Sequence, residues 1–81
     1  MVMQMTIQFI NLKEIQQLVK SLKNVSEAEK DLILKTCKEI ASKQYENTHD
    51  YNMKMGFILR YYYAHPENRQ KILEIMKLLE T

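Results

Sequence analysis

Hydrophobic residues recur at helical spacing along most of this chain, and the clearest stripe lies near its middle. This stripe consists of Ile33, Leu34, Cys37, Ile40, Ala41 and Tyr45. It follows Ser26-Glu27-Ala28-Glu29. A serine three positions before a glutamate is typical of a capping box, in which each side chain binds the other residue's backbone amide. The pattern therefore predicts a helix over residues 27–46.

Two further stripes predict two more helices in the C-terminal half. The first consists of Tyr51, Met55, Ile58, Leu59 and Tyr62, and the second of Ile72, Ile75, Met76 and Leu79. They predict helices over residues 51–64 and 66–80, with Pro66 at a first helical position that suits its missing amide hydrogen. Further apolar residues around the 51–64 helix predict that it lies centrally. We expect a neighbouring helix to approach Gly56 closely, because an interior glycine costs a helix about 1 kcal/mol relative to alanine.

The N-terminal third admits two interpretations. Leu12, Ile15, Leu18, Val19 and Leu22 form a stripe that predicts a helix over residues 12–23. Before it, Met3, Met5, Ile7 and Phe9 alternate with Gln4, Thr6 and Gln8. Alternation is the period of a half-exposed strand, but Met5 and Phe9 also share one face with the stripe of a longer helix. We favour an extended, strand-forming segment over residues 2–10, with Asn11 as the helix cap.

Together these elements predict a mainly α fold, in which residues 1–81 form a single helical domain built as a small antiparallel bundle of four helices. The chain has 81 residues, of which 46% are hydrophobic, with one glycine and one proline. This composition excludes intrinsic disorder and a turn-rich all-β fold. A domain of this size buries only about 60% of its unfolded surface, so a partner subunit, including a second copy in a homodimer, would add useful burial.

Charge and cysteine content narrow the function classes. Twelve basic and ten acidic residues give a net charge of +2, which is low for a dedicated nucleic-acid binder. One cysteine cannot form an internal disulfide, and with two histidines it gives no zinc-ligand spacing. No apolar run approaches the roughly 18 residues of a membrane span, and residues 1–12 lack a positive leader. We therefore expect a cytoplasmic protein with no membrane span, no metal and no cofactor.

Catalytic residues are not expected either. A nucleophilic pair could combine Cys37 with His49 or His65, but Cys37 lies on the apolar stripe of its helix, where a thiol packs as a small hydrophobe. No acidic residue is placed to orient either imidazole, and no glycine-rich loop is available to hold a phosphate. The sequence thus favours a protein that is not an enzyme.

The run Arg60-Tyr61-Tyr62-Tyr63 is the best local indication of a binding surface. Three consecutive helical positions point in directions about 100° apart, so the three tyrosines cannot all face one core. At least one should therefore be exposed, and an exposed tyrosine beside an arginine is typical of interface hot spots. We take these four residues as the candidate protein interface.

Residues 3–43, interpreted with the strand, resemble a ribbon-helix-helix DNA-binding protein. The ribbon would be Met3-Gln4-Met5-Thr6-Ile7-Gln8-Phe9, followed by a first helix over residues 12–23 and a second that opens at Ser26. The resemblance implies a dimer whose paired ribbons place Gln4, Thr6 and Gln8 against base edges in the major groove. Nucleic acid is an expected partner under this alternative only.

Residues 12–80, interpreted as helices throughout, resemble the small immunity proteins that protect Gram-positive bacteria from their own class II bacteriocins. The resemblance lies in the helical order and in the aromatic stretch Ile58-Leu59-Arg60-Tyr61-Tyr62-Tyr63-Ala64 before Pro66. It implies an antiparallel four-helix bundle that binds other proteins. The leading hypothesis is therefore a small regulator, inhibitor or immunity-type protein, a description that also fits a phage or plasmid product. The alternative is a dimeric ribbon-helix-helix transcription regulator.

Overall fold

The computed structural model describes residues 2–80, and it describes side chains from residue 11 onward. Its elements are α1 (Val2–Lys20), α2 (Glu27–Ala41), α3 (Thr48–Ala64), a short 3-10 helix (Pro66–Asn68) and α4 (Arg69–Glu80). Residues 2–80 contain no strand. The prediction of a mainly α bundle of four helices is confirmed.

Successive helices pack side by side and run in opposite directions. Helix α1 packs on α2 and α4, α3 also packs on α2 and α4, and α2 touches α4, whereas the backbones of α1 and α3 do not come close within the described residues. Tyr61 near the end of α3 binds Glu29 near the start of α2, and Lys54 in the first half of α3 binds Glu39 near the end of α2. These two contacts show that α2 and α3 are antiparallel. Helix α3 therefore lies at one side of the bundle and not at its centre, which corrects the prediction made from its apolar residues.

The core takes residues from every helix and from the first turn between helices. Its buried members are Ile15, Val19, Leu22, Val25, Ile33, Cys37, Ile40, Ile58, Ile72 and Ile75. Most of them belong to the stripes that the sequence predicts, because residues three and four positions apart share one face of a helix. Helix α3 contributes only Ile58 to this buried set, and its other core contacts come from the half-buried Tyr51, Met55, Phe57, Tyr61 and Tyr62.

The N-terminal segment differs from the sequence prediction. We expected residues 2–10 to be extended, but α1 begins at Val2 and continues unbroken to Lys20. A lone strand would leave its backbone groups without partners, whereas a helix satisfies them internally. No glycine or proline interrupts residues 2–20. Asn11 consequently lies inside α1 and is not its cap.

Helix α2 begins where the sequence predicts and ends five residues earlier. The capping box at Ser26 and Glu29 is present. At the other end, Lys43 has a φ of 58°, in the left-handed region. Its amide donates to Ile40 O at 3.0 Å, and the Gln44 amide donates to Glu39 O at 2.7 Å. These two bonds form a Schellman motif, which ends the helix at Ala41.

The next two helices also start differently from the prediction. Helix α3 starts at Thr48, three residues early, because the Asn47 side chain accepts a hydrogen bond from the Asp50 amide at 2.9 Å. After α3 ends at Ala64, Pro66 opens a 3-10 turn before α4 begins at Arg69.

A fully buried asparagine ties the two turns at one end of the bundle together. Asn68 accepts a hydrogen bond from the Lys23 amide at 2.9 Å and donates one to the Lys23 carbonyl at 2.8 Å. Beside it, Asn24 donates to Glu67 at 2.6 Å, and Lys71 donates to the Ser21 carbonyl at 2.7 Å. The α1–α2 turn is thereby fixed against the segment that connects α3 to α4.

We expect Asn68→Ala to lower the free energy of unfolding by about 2–4 kcal/mol, because it removes two hydrogen bonds and leaves the Lys23 backbone groups unpaired. Urea unfolding followed by circular dichroism measures this loss. Gln70→Ala, which removes an exposed amide from α4, is the matched control and should change stability by less than about 0.5 kcal/mol. Equal effects of the two variants would contradict a stabilising role for the two Asn68–Lys23 hydrogen bonds.

Lys43→Gly should raise the free energy of unfolding by about 0.5–1 kcal/mol, because glycine adopts the left-handed conformation without the clash of a Cβ atom. The same unfolding experiment measures it. Lys35→Gly provides the control, since Lys35 is exposed in the interior of α2 and glycine there should cost about 1 kcal/mol. A loss of stability in both variants would show that the left-handed conformation of Lys43 does not limit stability.

Candidate protein-binding surface

The three consecutive tyrosines of α3 have different surroundings. Tyr61 and Tyr62 are half-buried, whereas 68% of Tyr63 is exposed. The prediction that at least one of them faces solvent is confirmed. Of the four predicted interface residues, only Arg60 and Tyr63 are exposed.

Tyr61 joins α3 to α2. Its hydroxyl donates to Glu29 Oε2 at 3.3 Å, and its ring stacks on His65 with 6.2 Å between ring centroids. Burial, followed by the nearby Glu29 charge, raises the pKa of Tyr61 above its usual value, so the phenol remains a neutral donor. Its hydroxyl is therefore engaged within the chain and not free for a partner.

Tyr62 joins α3 to α4 and supports Tyr63. The guanidinium carbon of Arg69 lies 5.4 Å from the centre of the Tyr62 ring, and Arg69 Nε donates to the Tyr62 carbonyl at 3.4 Å. The rings of Tyr62 and Tyr63 meet edge to face, with 5.3 Å between centroids. This contact holds the exposed Tyr63 ring on one side of α3.

We define the outer face of α3 as the exposed surface formed by His49, Asn52, Met53, Gly56, Arg60 and Tyr63. Met53 is 63% exposed. Two grooves, of about 430 and 510 Å³, open on this side and share Arg60 as a lining residue. Arg60 makes no ion pair with any described residue. The outer face of α3 thus combines large exposed side chains with an unpaired cation.

The solvated faces of the neighbouring helices have a different composition. On α2 the exposed residues include Glu27, Asp31, Lys35 and Lys38, and on α4 they include Arg69, Glu74, Lys77 and Glu80. Acids and bases alternate on those helices, as is usual for surfaces in contact with water. The outer face of α3 contains no acidic residue and only one permanent charge, Arg60. Its composition is closer to that of an interface than to that of a solvated face.

Gly56 does not serve the packing role that the sequence predicts. A Cβ atom added to Gly56 would have nothing within 4 Å apart from its own helix and chain neighbours. The expectation that a neighbouring helix approaches it closely was therefore wrong. Gly56 instead lies in the middle of the outer face of α3 and opens to solvent.

Met53 and Gly56 belong to this surface, although the sequence pattern predicts neither as an interface residue. The apolar residues around α3, Met53 among them, predict a central helix, and Gly56 predicts a close internal contact. The spacing of positions 53, 56, 60 and 63, three and four residues apart, places them on one side of α3. That spacing was the available signal, but it does not say which side of the helix faces the core.

The residues considered for catalysis lie in unrelated places. Cys37 is fully buried, and burial raises the pKa of its thiol to about 12, so the thiol is protonated at neutral pH. His49 is exposed, whereas His65 stacks on Tyr61. Among the residues that the structure describes, no three His, Cys, Asp or Glu side chains lie together as metal ligands, and no helix is long and apolar enough to cross a membrane.

The residues of the DNA-binding alternative do not form the structure that it needs. A ribbon requires a strand over residues 3–9, and this segment belongs to α1. The side chains of Gln4, Thr6 and Gln8 lie outside the described residues, so the structure offers no account of their contacts.

No protein-family model matches this chain, and no curated protein or solved structure shows significant similarity to it.

The pH dependence of stability tests the capping box at the start of α2, whose Glu29 also accepts the Tyr61 hydroxyl. Hydrogen bonds from the Ser26 backbone and side chain lower the pKa of Glu29 below its usual value. A carboxylate whose pKa falls on folding stabilises the protein above its unfolded pKa, and this contribution is lost as the pH falls through the folded pKa. We expect Glu29→Gln to be less stable than the wild type at pH 7, with the difference shrinking towards pH 3.

Urea unfolding at the two pH values measures this difference. Glu74→Gln is the matched control, because Glu74 is exposed on α4 and forms no ion pair with a described residue. It should differ little from the wild type at either pH. A Glu29→Gln deficit that stays constant from pH 7 to pH 3 would mean that the carboxylate charge does not contribute.

Proposed function

We propose that this protein is a non-enzymatic protein-binding module, a small regulator, inhibitor or immunity-type protein, that binds its partner through the outer face of α3. The observation that carries the proposal is the exposure of Met53 and Tyr63 on either side of the unpaired Arg60. Tyrosine and arginine supply a large share of hot-spot energy in protein interfaces, and methionine is also enriched there.

Within residues 11–80, whose side chains the structure describes, the other large exposed hydrophobic residues do not form a comparable surface. Leu32 on α2 is 52% exposed and Leu73 on α4 is 42% exposed. Both stand among charged residues of their helices, and single exposed hydrophobic residues are normal on soluble proteins. Among residues 11–80, only α3 places two large exposed side chains and an unpaired arginine on one side.

The bundle holds this surface in place before any partner arrives. Tyr63 contacts Tyr62, which Arg69 covers from α4. A surface held on a packed helix loses little side-chain freedom on binding, so more of its contact energy remains as affinity. Within this proposal, an immunity-type protein is supported by the order of the helices and the aromatic stretch before Pro66, and the broader regulator class by the surface alone.

Site-specific photo-crosslinking tests the proposal. We expect p-benzoyl-phenylalanine at position 63 to capture a distinct protein from extracts of the source organism, because Tyr63 is 68% exposed on the proposed surface. The same group at position 73 on α4 is the control and should not capture that protein. Capture of the same protein from both positions, or from neither, would contradict the proposed surface.

Titration of the purified partner then measures each contact. Tyr63→Ala, Met53→Ala and Arg60→Ala should each weaken binding about tenfold or more, as expected for hot-spot residues. Leu73→Ala is the matched control and should change affinity less than about twofold. Circular dichroism establishes that all four variants are folded, so that a loss of binding is not a loss of structure.

A further inference from the structure

Arg60 lies between the two exposed residues on which the proposed interface depends. Along the outer face of α3, Met53 lies seven positions before Arg60 and Tyr63 lies three positions after it, about 10 and 5 Å along the helix axis. A partner that covers both Met53 and Tyr63 must therefore also cover the guanidinium group of Arg60. This group loses its hydration on binding and needs new hydrogen-bond acceptors.

The chain itself does not supply a counter-charge for Arg60. No described carboxylate oxygen lies within 4.0 Å of its guanidinium nitrogens. The residues one turn before and after it on α3 are Gly56 and Ala64, whereas the exposed Lys35 of α2 has Asp31 one turn away. The acceptor for Arg60 has to come from the partner.

A carboxylate meets this requirement best. The planar donors of arginine match the two oxygens of a carboxylate, and such charge-assisted hydrogen bonds are stronger than those between neutral groups. A carboxylate would also neutralise the only permanent charge of the outer face of α3. A nucleic-acid phosphate could accept from arginine too, but sites for nucleic acid combine several cations. The surface therefore favours an acidic segment of a protein.

A groove lies on each side of Arg60 along α3. We call them the Gly56 groove, of about 430 Å³, and the Ala64 groove, of about 510 Å³. Gly56 and Ala64 are the two smallest residues of α3, and each lies four positions from Arg60. Apolar and aromatic side chains line both grooves, Met53 and Phe57 in the first and Tyr61 and Tyr63 in the second. Each groove can thus take an apolar side chain of the partner.

Glu29 determines the side from which the partner's carboxylate approaches. It lines the Ala64 groove, and its oxygens are already engaged. One accepts from the Ser26 amide and hydroxyl at 3.2 and 3.0 Å, and the other accepts from the Tyr61 hydroxyl at 3.3 Å. A second carboxylate in this groove would be repelled. Because no acidic residue is among the described lining of the Gly56 groove, the carboxylate meets Arg60 on the side away from Glu29.

We infer that the partner lays a helix against the outer face of α3, with a glutamate or aspartate on Arg60 and an apolar side chain in each groove. Gly56 and Ala64 lie eight positions apart, about 12 Å along the axis. Two turns of a partner helix span about 11 Å, so apolar residues at i and i+7 flank an acid at i+4. The inference rests on the proposed function for the choice of surface, and it names the chemistry of the partner.

Exchange of charge between Arg60 and a helical peptide tests the inference. The probe is a peptide of about 16 residues in an alanine–glutamine host, long enough to populate a helix. It carries a neutral fluorophore, leucines at i and i+7 and a glutamate at i+4, and a second peptide has lysine in place of the glutamate. By fluorescence anisotropy, the glutamate peptide should bind the wild type with a dissociation constant on the order of 100 µM, and the lysine peptide at least about tenfold more weakly.

Arg60→Glu should reverse this preference, so that the lysine peptide binds at least about tenfold more tightly than the glutamate peptide. Lys38→Glu is the matched control, because Lys38 is exposed on α2 and the substitution changes the net charge of the chain equally. It should keep the preference of the wild type. This control separates a contact at Arg60 from general attraction by the net charge of +2. Circular dichroism checks that both variants are folded.

Each outcome decides the question. A preference that reverses in Arg60→Glu and persists in Lys38→Glu supports the inference. Equal binding of the two peptides, the same response in both variants, or no binding of the glutamate peptide at about 1 mM protein overturns it. A labelled thymidine oligonucleotide that binds more tightly than the glutamate peptide would assign Arg60 to a phosphate, and would overturn it as well.

These results can be separated from the test of the proposed function. If position 63 captures a protein but the peptides show no preference for glutamate, the proposed surface stands and an acidic helix is not its partner. If the charge exchange succeeds and position 63 captures no protein, the chemistry of the outer face of α3 stands and the proposed function fails.

Discussion

The buried amide of Asn68 is the constraint on which the arrangement of the helices depends. Its two hydrogen bonds pair the amide and the carbonyl of Lys23 with a fully buried side chain at this junction. Asn68 lies in the segment between α3 and α4, so the bonds fix the end of α3 against the turn between α1 and α2. The tyrosine cluster occupies the last turns of α3, and its orientation follows from this junction.

Two of the three adjacent tyrosines hold the helix and the third remains available. Tyr61 binds Glu29 of the capping box of α2, and Tyr62 lies under Arg69 of α4. With α3 held on both sides by these contacts, the remaining direction is open to solvent, where Tyr63 lies. The contacts that pack α3 into the bundle therefore also determine which of its tyrosines is exposed.

Local patterns predicted the features that depend on local interactions. The capping box at Ser26 set the start of α2, and the apolar stripe of α4 lies in the core as expected. The end of α2 was missed because Lys43 adopts a left-handed conformation that sequences usually mark with glycine. The segment 2–10 was assigned wrongly because alternating and helical patterns overlap in short apolar runs.

The binding surface was predicted only in part, for a related reason. Helical geometry required one exposed tyrosine, but the choice of Tyr63 depended on how α3 sits against α2 and α4. In the same way, a glycine within a helix is compatible with a close internal neighbour or with an open surface. Only the packed structure distinguishes these cases at Gly56.

The open position of Gly56 also places two kinds of selection in conflict. An isolated bundle gains from almost any residue that favours the helix at this site, since no neighbouring atom opposes a larger side chain. A larger side chain there would also change the shape of the groove that Gly56 lines on the outer face of α3. A variant library sorted for heat resistance and one sorted for partner binding should therefore diverge at this codon, as in other proteins where stability and activity make opposite demands on one site.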